Sequence, residues 1–342
     1  MTEIGNKKDG CMINLKYNDL ELRFPSVHPR AVARINFMRT LRVPNDGNVY
    51  PLPAGLGTFP LEHIEDHKGR VPSNWLSRGG VLLPMYQSEA MWINFHGDYP
   101  VALKIGAGKI NAVTGEVWKN ELTDSPQNYV VLSDQPWLDG YATEAGLVRQ
   151  FVATPLGQGE TAEEQITGEA VFGGIQIQAF PMKKDVYKEI FEARREQQAV
   201  SEYLDIPAFC RRSSEPAMGL APGGSITQDI HEDDYGLDAW DLDAGSRCFI
   251  HTVNSQCWTD ITGQAMPTKP MSARDYRSAG MPWFSYYAEG KKALPGSDIL
   301  RKLTTKQDEI ELRHDAVDVG QDISDLPVIK LGAKGAVTDG VF

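Results

Sequence analysis

Apolar and polar residues alternate at the start of the chain. Ile13, Leu15 and Tyr17 precede Asn18-Asp19, and Leu20, Leu22 and Phe24 follow it. A period of two on both sides of a turn dipeptide predicts a β-hairpin. Similar short apolar runs predict strands near 35–43, 81–83, 91–95, 129–132, 226–230 and 248–253. A further pair, 101–105 and 109–113, is predicted around Gly106-Ala107-Gly108. The longest β-like stretch runs from Trp137 to Met182 and is punctuated by Gly157, Gly159, Gly168, Gly173 and Gly174.

Helical spacing is clear only at 183–200, where Val186, Tyr187, Ile190 and Phe191 form one apolar stripe. Shorter helical turns are expected at 60–67 and 273–279. Residues 51–60 read as a loop, and the Pro, Ser and Gly-rich stretch 206–224 as a linker. The fold class that follows is mainly β (α+β): a β-sandwich or paired antiparallel sheets, one amphipathic helix near 183–200, and a loop-rich C-terminal arm. The expected organisation is a polar lead over 1–11 and one globular unit over 12–292, with a candidate sub-module junction at 205–220. A polar arm over 293–342 carries a candidate edge strand at 328–331.

Two patterns recur. Thr-Gly follows an aliphatic residue at Thr114-Gly115, Thr167-Gly168 and Thr262-Gly263, and Gly-Gly appears at 79–80, 173–174 and 223–224. Unequal spacing argues against duplicated modules, and Thr-Gly is expected to serve as a strand-to-turn exit.

Composition adds limits. The chain has 342 residues, 41% hydrophobic and 23% charged, enough for a core without disulfides or metals. A net charge of −12 argues against a nucleic-acid surface. Cys11, Cys210, Cys248 and Cys257 form no Cys-x-x-Cys pair and are expected as thiols. The polar N-terminus and the lack of a long apolar run lead to the expectation of an acidic, soluble, cytoplasmic protein.

Candidate chemistry is sparse. His63 and His67, four apart on a helix, would share a face as zinc ligands do, with His96 a candidate third ligand, but Ile64 breaks His-Glu-x-x-His. Asp229 to Asp243 holds seven acids in 15 residues, of which Asp233, Asp234, Asp238, Asp241 and Asp243 are candidate Ca²⁺ ligands. Gly106-Ala107-Gly108-Lys109 fails both the Walker and dinucleotide patterns and reads as a hairpin turn. His251 near Cys257 reads as a core histidine more than as half of a nucleophilic pair. Arg149 is the sole Lys or Arg between Lys119 and Lys183, among nine acids. It is expected to pair with Asp139, Glu163 or Glu164, or to grip an anion in a pocket that includes Gln165.

The segments Pro136-Trp137-Leu138-Asp139-Gly140, Arg149 to Gly157, Gly173-Gly174-Ile175-Gln176, Gly80 to Gln87 and Met218 to Gly224 resemble a family of microbial proteins without an assigned activity. The resemblance extends from about Leu41 to Tyr287. It implies one shared architecture and supplies no catalytic residue, cofactor or partner.

The functional expectation is a non-catalytic structural or binding protein that self-associates as a homo-oligomer, with neither nucleic acid nor membrane as partner. The alternative is a hydrolase or lyase, metal-assisted or not, around Arg149 and Glu163/Glu164. A third reading is a Ca²⁺ module at 229–243. No cofactor is predicted, Ca²⁺ and Zn²⁺ being the two candidates.

Overall fold

The computed structural model describes residues 11–132, 134–192, 217–287, 291–304 and 328–332. Its main strands are β1 (Met12–Lys16), β2 (Asp19–Arg23), β3 (Val32–Thr40), β4 (Val81–Met85), β5 (Ala90–His96) and β6 (Val101–Ala107). They continue as β7 (Leu147–Pro155), β8 (Ile175–Pro181), β9 (Met218–Thr227), β10 (Ser246–Asn254), β11 (Trp283–Tyr287) and β12 (Val328–Gly332). Among the described residues the α-helices are short: α1 (Ser73–Arg78), α2 (Ala162–Thr167), α3 (Lys184–Tyr187), α4 (Ser255–Thr262), α5 (Ala273–Ser278) and α6 (Asp298–Arg301). The protein is mainly β, with several sheets and few helices.

A ten-stranded sheet runs β1-β2-β3-β5-β7-β9 and ends on Val49–Tyr50; a seven-stranded sheet runs from Ile110–Asn111 through β6-β8-β10-β4 to Glu62–His63. A three-stranded sheet joins β12, β11 and Leu52–Pro53. Pairing is antiparallel except at β9 with Val49–Tyr50, β10 with β4, and β11 with β12. One hydrophobic cluster takes Leu22, Ile35, Phe37 and Ile93 from the large sheet and Leu103, Ile105, Ile177 and Ile250 from the second. The two sheets therefore pack as layers over a shared core, because each must bury one apolar face.

The opening hairpin forms with its turn one residue earlier than the pattern suggested. Lys16 pairs with Asp19, and Tyr17 and Asn18 both take positive φ (55° and 77°). Positive φ at both central residues matches the twist of the flanking strands. Other expectations shift further. Residues 60–67 hold a strand pair at Glu62–His63 and a 3₁₀ turn at Ile64–His67 instead of a helix. The loop assigned to 51–60 contains the short strands Leu52–Pro53 and Gly55–Thr58. The amphipathic helix appears as α3 and a wider π-type turn through Lys188–Glu192; residues 193–200 lie outside the described set. The linker expectation fails over 218–224, which is β9, hydrogen-bonded to β7 along its length. Glycine is required there: a Cβ at Gly224 would sit 2.1 Å from the Pro44 carbonyl oxygen, and one at Gly223 2.5 Å from Val152. Residues 206–216 lie outside the described set.

Two of the three Thr-Gly elements end helices. Gly168 and Gly263 are left-handed C-caps, and the Thr167 and Thr262 hydroxyls donate to carbonyls four residues back, at 2.7 and 2.8 Å. The recurrence is a shared helix exit, with glycine reaching φ > 0 at no steric cost. In the C-terminal arm, Leu300 and Leu303 belong to the main core. Among the described residues no helix is long and apolar enough to cross a membrane.

Candidate functional site

Strand β10 places Cys248 and Ile250 in the shared core, so alternation turns Arg247, Phe249, His251 and Val253 to the opposite face. Half of that outer face is covered. Trp75 of α1 and Trp258 of α4 pack with Leu82 and Val253 in a second, smaller apolar cluster. The other half carries cations laid on aromatic rings, and it is organised by the glycine pairs.

Gly80 and Gly174 precede β4 and β8, the two neighbours of β10. An added Cβ would lie 2.0 Å from the Phe249 carbonyl oxygen at Gly80 and 2.4 Å from that of Ile250 at Gly174. Two backbones thus approach one strand from opposite edges, at a distance only glycine permits. The residues before the pairs, Arg78 and Phe172, are brought together: the Arg78 guanidinium lies 4.1 Å from the Phe172 ring centroid. Lys109 Nζ lies 4.3 Å from the same ring. Under them Glu163 accepts from Gly173 N at 2.8 Å and Phe172 N at 3.2 Å. Burial pushes its carboxyl up, against the pull of these two amides and of Lys109 and Arg78.

The end of α1 is held by His251, whose Nε2–H donates to the Gly79 carbonyl at 2.9 Å while its ring stacks on Trp75 at 4.9 Å. Burial pulls the His251 pKa down to about 4, so the ring is neutral near pH 7. Further along the face, Arg247 lies 4.9 Å from the Phe249 centroid and donates to Asn120 Oδ1 at 3.1 Å. Trp118 Nε1 donates to the same oxygen at 3.2 Å, and Lys104 Nζ lies 5.2 Å from the Trp118 ring. Burial draws the Lys104 ammonium down to about 8 and lowers both Arg78 and Arg247, which remain charged. A cleft of about 230 Å³ opens where Arg78 and Arg247 meet the β1–β2 hairpin.

The residues singled out from the sequence take other roles. Arg149 makes no ion pair with Asp139, Glu163 or Glu164. Nε donates to Gly223 O at 2.9 Å, Nη2 to Pro222 O at 3.3 Å, and Nη1 to Leu303 O. A guanidinium engaged by three carbonyls has little left for an anion. Gln165 also holds the C-terminal segment, donating to Thr304 O and accepting from Thr304 N at 2.7 Å. The Glu164 carboxylate is filled by Gly157 N, Gly159 N, Thr161 N and Thr161 Oγ1, completing a capping box. Asp139 is fully buried, accepts from Trp137 Nε1 at 2.6 Å, and is pushed up to about 7 by desolvation. The structure therefore brings Arg149 and Gln165 together around residues 303–304, and Glu163 alone joins the cation–aromatic face.

The acidic loop is engaged internally. Asp233 accepts from Tyr129 Oη at 2.6 Å, Trp240 Nε1 at 2.9 Å and Tyr235 N at 2.8 Å. Asp234 pairs with Lys291 at 2.5 Å, and Asp241 accepts from Ala244 N at 3.1 Å. Asp238 lies on the 3₁₀ turn Leu237–Ala239 and Asp243 is exposed. His63 and His67 do not share a helical face, for His63 is in a strand and His67 Nε2 meets Glu62 at 2.6 Å. His96 is on β5, 2.8 Å from Asn94. Among the described residues no group of three or more His, Cys, Asp or Glu is placed to hold a metal ion. Cys11 and Cys248 are free thiols, and Cys210 lies outside the described residues. Gly108 and Lys109 form the turn after β6, where a Cβ on Gly108 would lie 2.3 Å from Glu163 Oε2.

Sequence reasoning passed over Arg78, Phe172, Arg247 and Phe249, and met Lys109 only as the end of a hairpin turn. The signal that points to them is the pair of Gly-Gly elements, each followed directly by a strand. No protein family, no curated protein and no solved structure matches the chain.

Proposed function

We propose that this is a non-catalytic binding protein that holds an anionic ligand against the outer face of its seven-stranded sheet. The observation that carries this reading is Arg78 and Lys109 lying on Phe172, beside Arg247 on Phe249. In a chain of net charge −12, Arg78 and Lys109 share one aromatic ring above the single carboxylate Glu163, and Arg247 lies on a second ring. Rings hold a cation in place while leaving its hydrogen-bond donors for an incoming anion. The alternative of a hydrolase or lyase at Arg149 loses support, since Arg149 and Glu164 are both engaged by hydrogen bonds within the fold.

Calorimetric titration with inorganic phosphate, phenyl phosphate and long-chain polyphosphate tests the proposal. At least one should bind, and the Lys109→Ala/Arg247→Ala double variant should weaken it about tenfold or more, the size expected for lost charge-assisted hydrogen bonds. Absence of binding by all three, or an unaffected double variant, overturns the reading.

Self-association is a second reading, favoured by one observation. Among the described residues β1 is an end strand of the ten-stranded sheet, with Met12 on it 44% exposed and Tyr17, in the turn that follows, 89% exposed. An open edge with apolar side chains is a template for a second copy of the chain. A clean monomer by light scattering at micromolar concentration would exclude it.

A further inference from the structure

The cleft between the opening hairpin and α1 has a chemically mixed lining. Arg78 and Arg247 line it together with Ile13, Leu15 and Leu20 of the β1–β2 hairpin, and the one acid in the lining, Glu65, is paired with Lys68 at 2.6 Å. His63 lines the same cleft, and its Nδ1 is buried with no hydrogen-bond partner among the described residues. A buried polar nitrogen without a partner is costly, so a group that supplies the missing hydrogen bond is favoured there.

Size narrows the occupant. The cleft's volume of about 230 Å³ falls below the roughly 300–1,000 Å³ usual for drug-sized ligands. A polymer or a dinucleotide is too large to be enclosed, whereas a compact molecule of one ring or a short chain fits. The two arginines define an oxyanion head, because a guanidinium fork matches the oxygens of a carboxylate or phosphate. The hairpin residues define an apolar body.

We infer that this cleft is a binding site for a small organic anion, its carboxylate or phosphate head held by Arg78 and Arg247 with His63, and its apolar body against Ile13, Leu15 and Leu20. The inference rests on the anion-binding reading above and names the ligand class of that face. Ile13 and Leu15 also pack against the main core, to which Leu20 belongs, so this apolar lining is held in place by the fold.

The test separates head from body. Phenyl phosphate, benzoate and inorganic phosphate are titrated into the full-length protein, with benzyl alcohol and benzylamine as neutral and cationic compounds of similar size. The ring-bearing anions should bind most tightly. Arg247→Ala, at an exposed position, should weaken phenyl phosphate and inorganic phosphate alike, by about tenfold. Leu15→Ser should weaken phenyl phosphate by about fivefold and leave inorganic phosphate unchanged, because only the body loses contact. His63→Gln should weaken all three anions. Circular dichroism confirms that each variant folds. The inference is overturned if benzyl alcohol or benzylamine binds as well as phenyl phosphate, or if Arg247→Ala and Leu15→Ser both leave its affinity within about twofold. It is also overturned if polyphosphate alone binds, a result that leaves the broader anion-binding reading standing.

Discussion

At the scale of single residues, two buried groups titrate in opposite senses. Asp139 is raised to about 7 by desolvation, whereas burial lowers His251 to about 4. As pH falls from about 7 towards 4, folded Asp139 takes up a proton that the unfolded chain does not, and folding gains stability. Over nearly the same window the unfolded chain protonates His251 while the folded protein does not, and folding loses stability. Each contributes a slope of up to about 1.4 kcal/mol per pH unit, so the wild-type melting temperature should vary little between pH 4 and 7 on account of this pair. Asp139→Asn keeps an acceptor for Trp137 and should expose the histidine's slope, with stability falling on acidification. His251→Gln should reveal the opposite, with stability rising. Melting curves from pH 4 to 8 check both, and parallel profiles for the two variants would contradict the assignment. Neither group was legible as a titrating site in the sequence. Asp139 stood out only as a possible partner for Arg149, and His251 only as a strand histidine, since burial depends on what packs over a residue.

At the scale of elements, glycine placement carries most of the information. Gly80 and Gly157 both have left-handed φ, 96° and 94°, yet a Cβ at Gly157 would meet nothing within 4 Å while one at Gly80 would meet the Phe249 carbonyl. Gly157→Ala should therefore cost about 1–2 kcal/mol, the backbone penalty alone. Gly80→Ala should cost clearly more and should disturb the β4–β10 pairing that sets Arg78. Urea denaturation of the two variants measures the difference, and equal losses would refute the close-approach argument. The same logic explains which elements could be read in advance. The hairpin and β5 follow alternation, a local property of side-chain direction, and β4 and β6 are short apolar runs buried at every position. β9 could not be read this way, since its Gly and Pro content looks like a linker until neighbouring backbones press against it. Glu62–His63 likewise looked helical from spacing, and its pairing with β4 is a long-range choice.

At the scale of the whole molecule, the C-terminal segment is tied back across the large sheet. Arg149 and Gln165 hydrogen-bond the backbone at Leu303 and Thr304, Ser297 Oγ donates to Thr114 O at 2.6 Å, and Leu300 and Leu303 enter the core. Losing a neutral hydrogen bond, as at Gln165, should weaken the attachment by roughly 0.5–1.5 kcal/mol, and losing one from the charged Arg149 guanidinium by about 1.5–3 kcal/mol. Arg149→Met and Gln165→Ala should then speed amide exchange across 297–304 while leaving β10 protected. Exchange measured by mass spectrometry decides the point; unchanged rates at 297–304 would remove these residues from that role. Arg149 is thus a fastening of the fold, and its isolation among acids had no bearing on its partners. Carbonyl oxygens, which composition cannot display, outcompeted the carboxylates.

The sequence by itself determined the β-rich class, the hairpin and most main strands, because alternation and turn chemistry act over a few residues. It also placed glycine where the backbone must turn or approach closely. Tertiary structure alone decided which polar groups are engaged inside the fold and which face a cleft. Asp233 takes a hydrogen bond from Tyr129 and Arg149 donates to carbonyls of β9 and Leu303, all far off in the chain, and Arg78, Phe172 and Arg247 meet only when β4, β8 and β10 assemble. Hydrogen-bond partners and burial are properties of long-range packing, so the same residue types read alike along the chain until the sheets close over them.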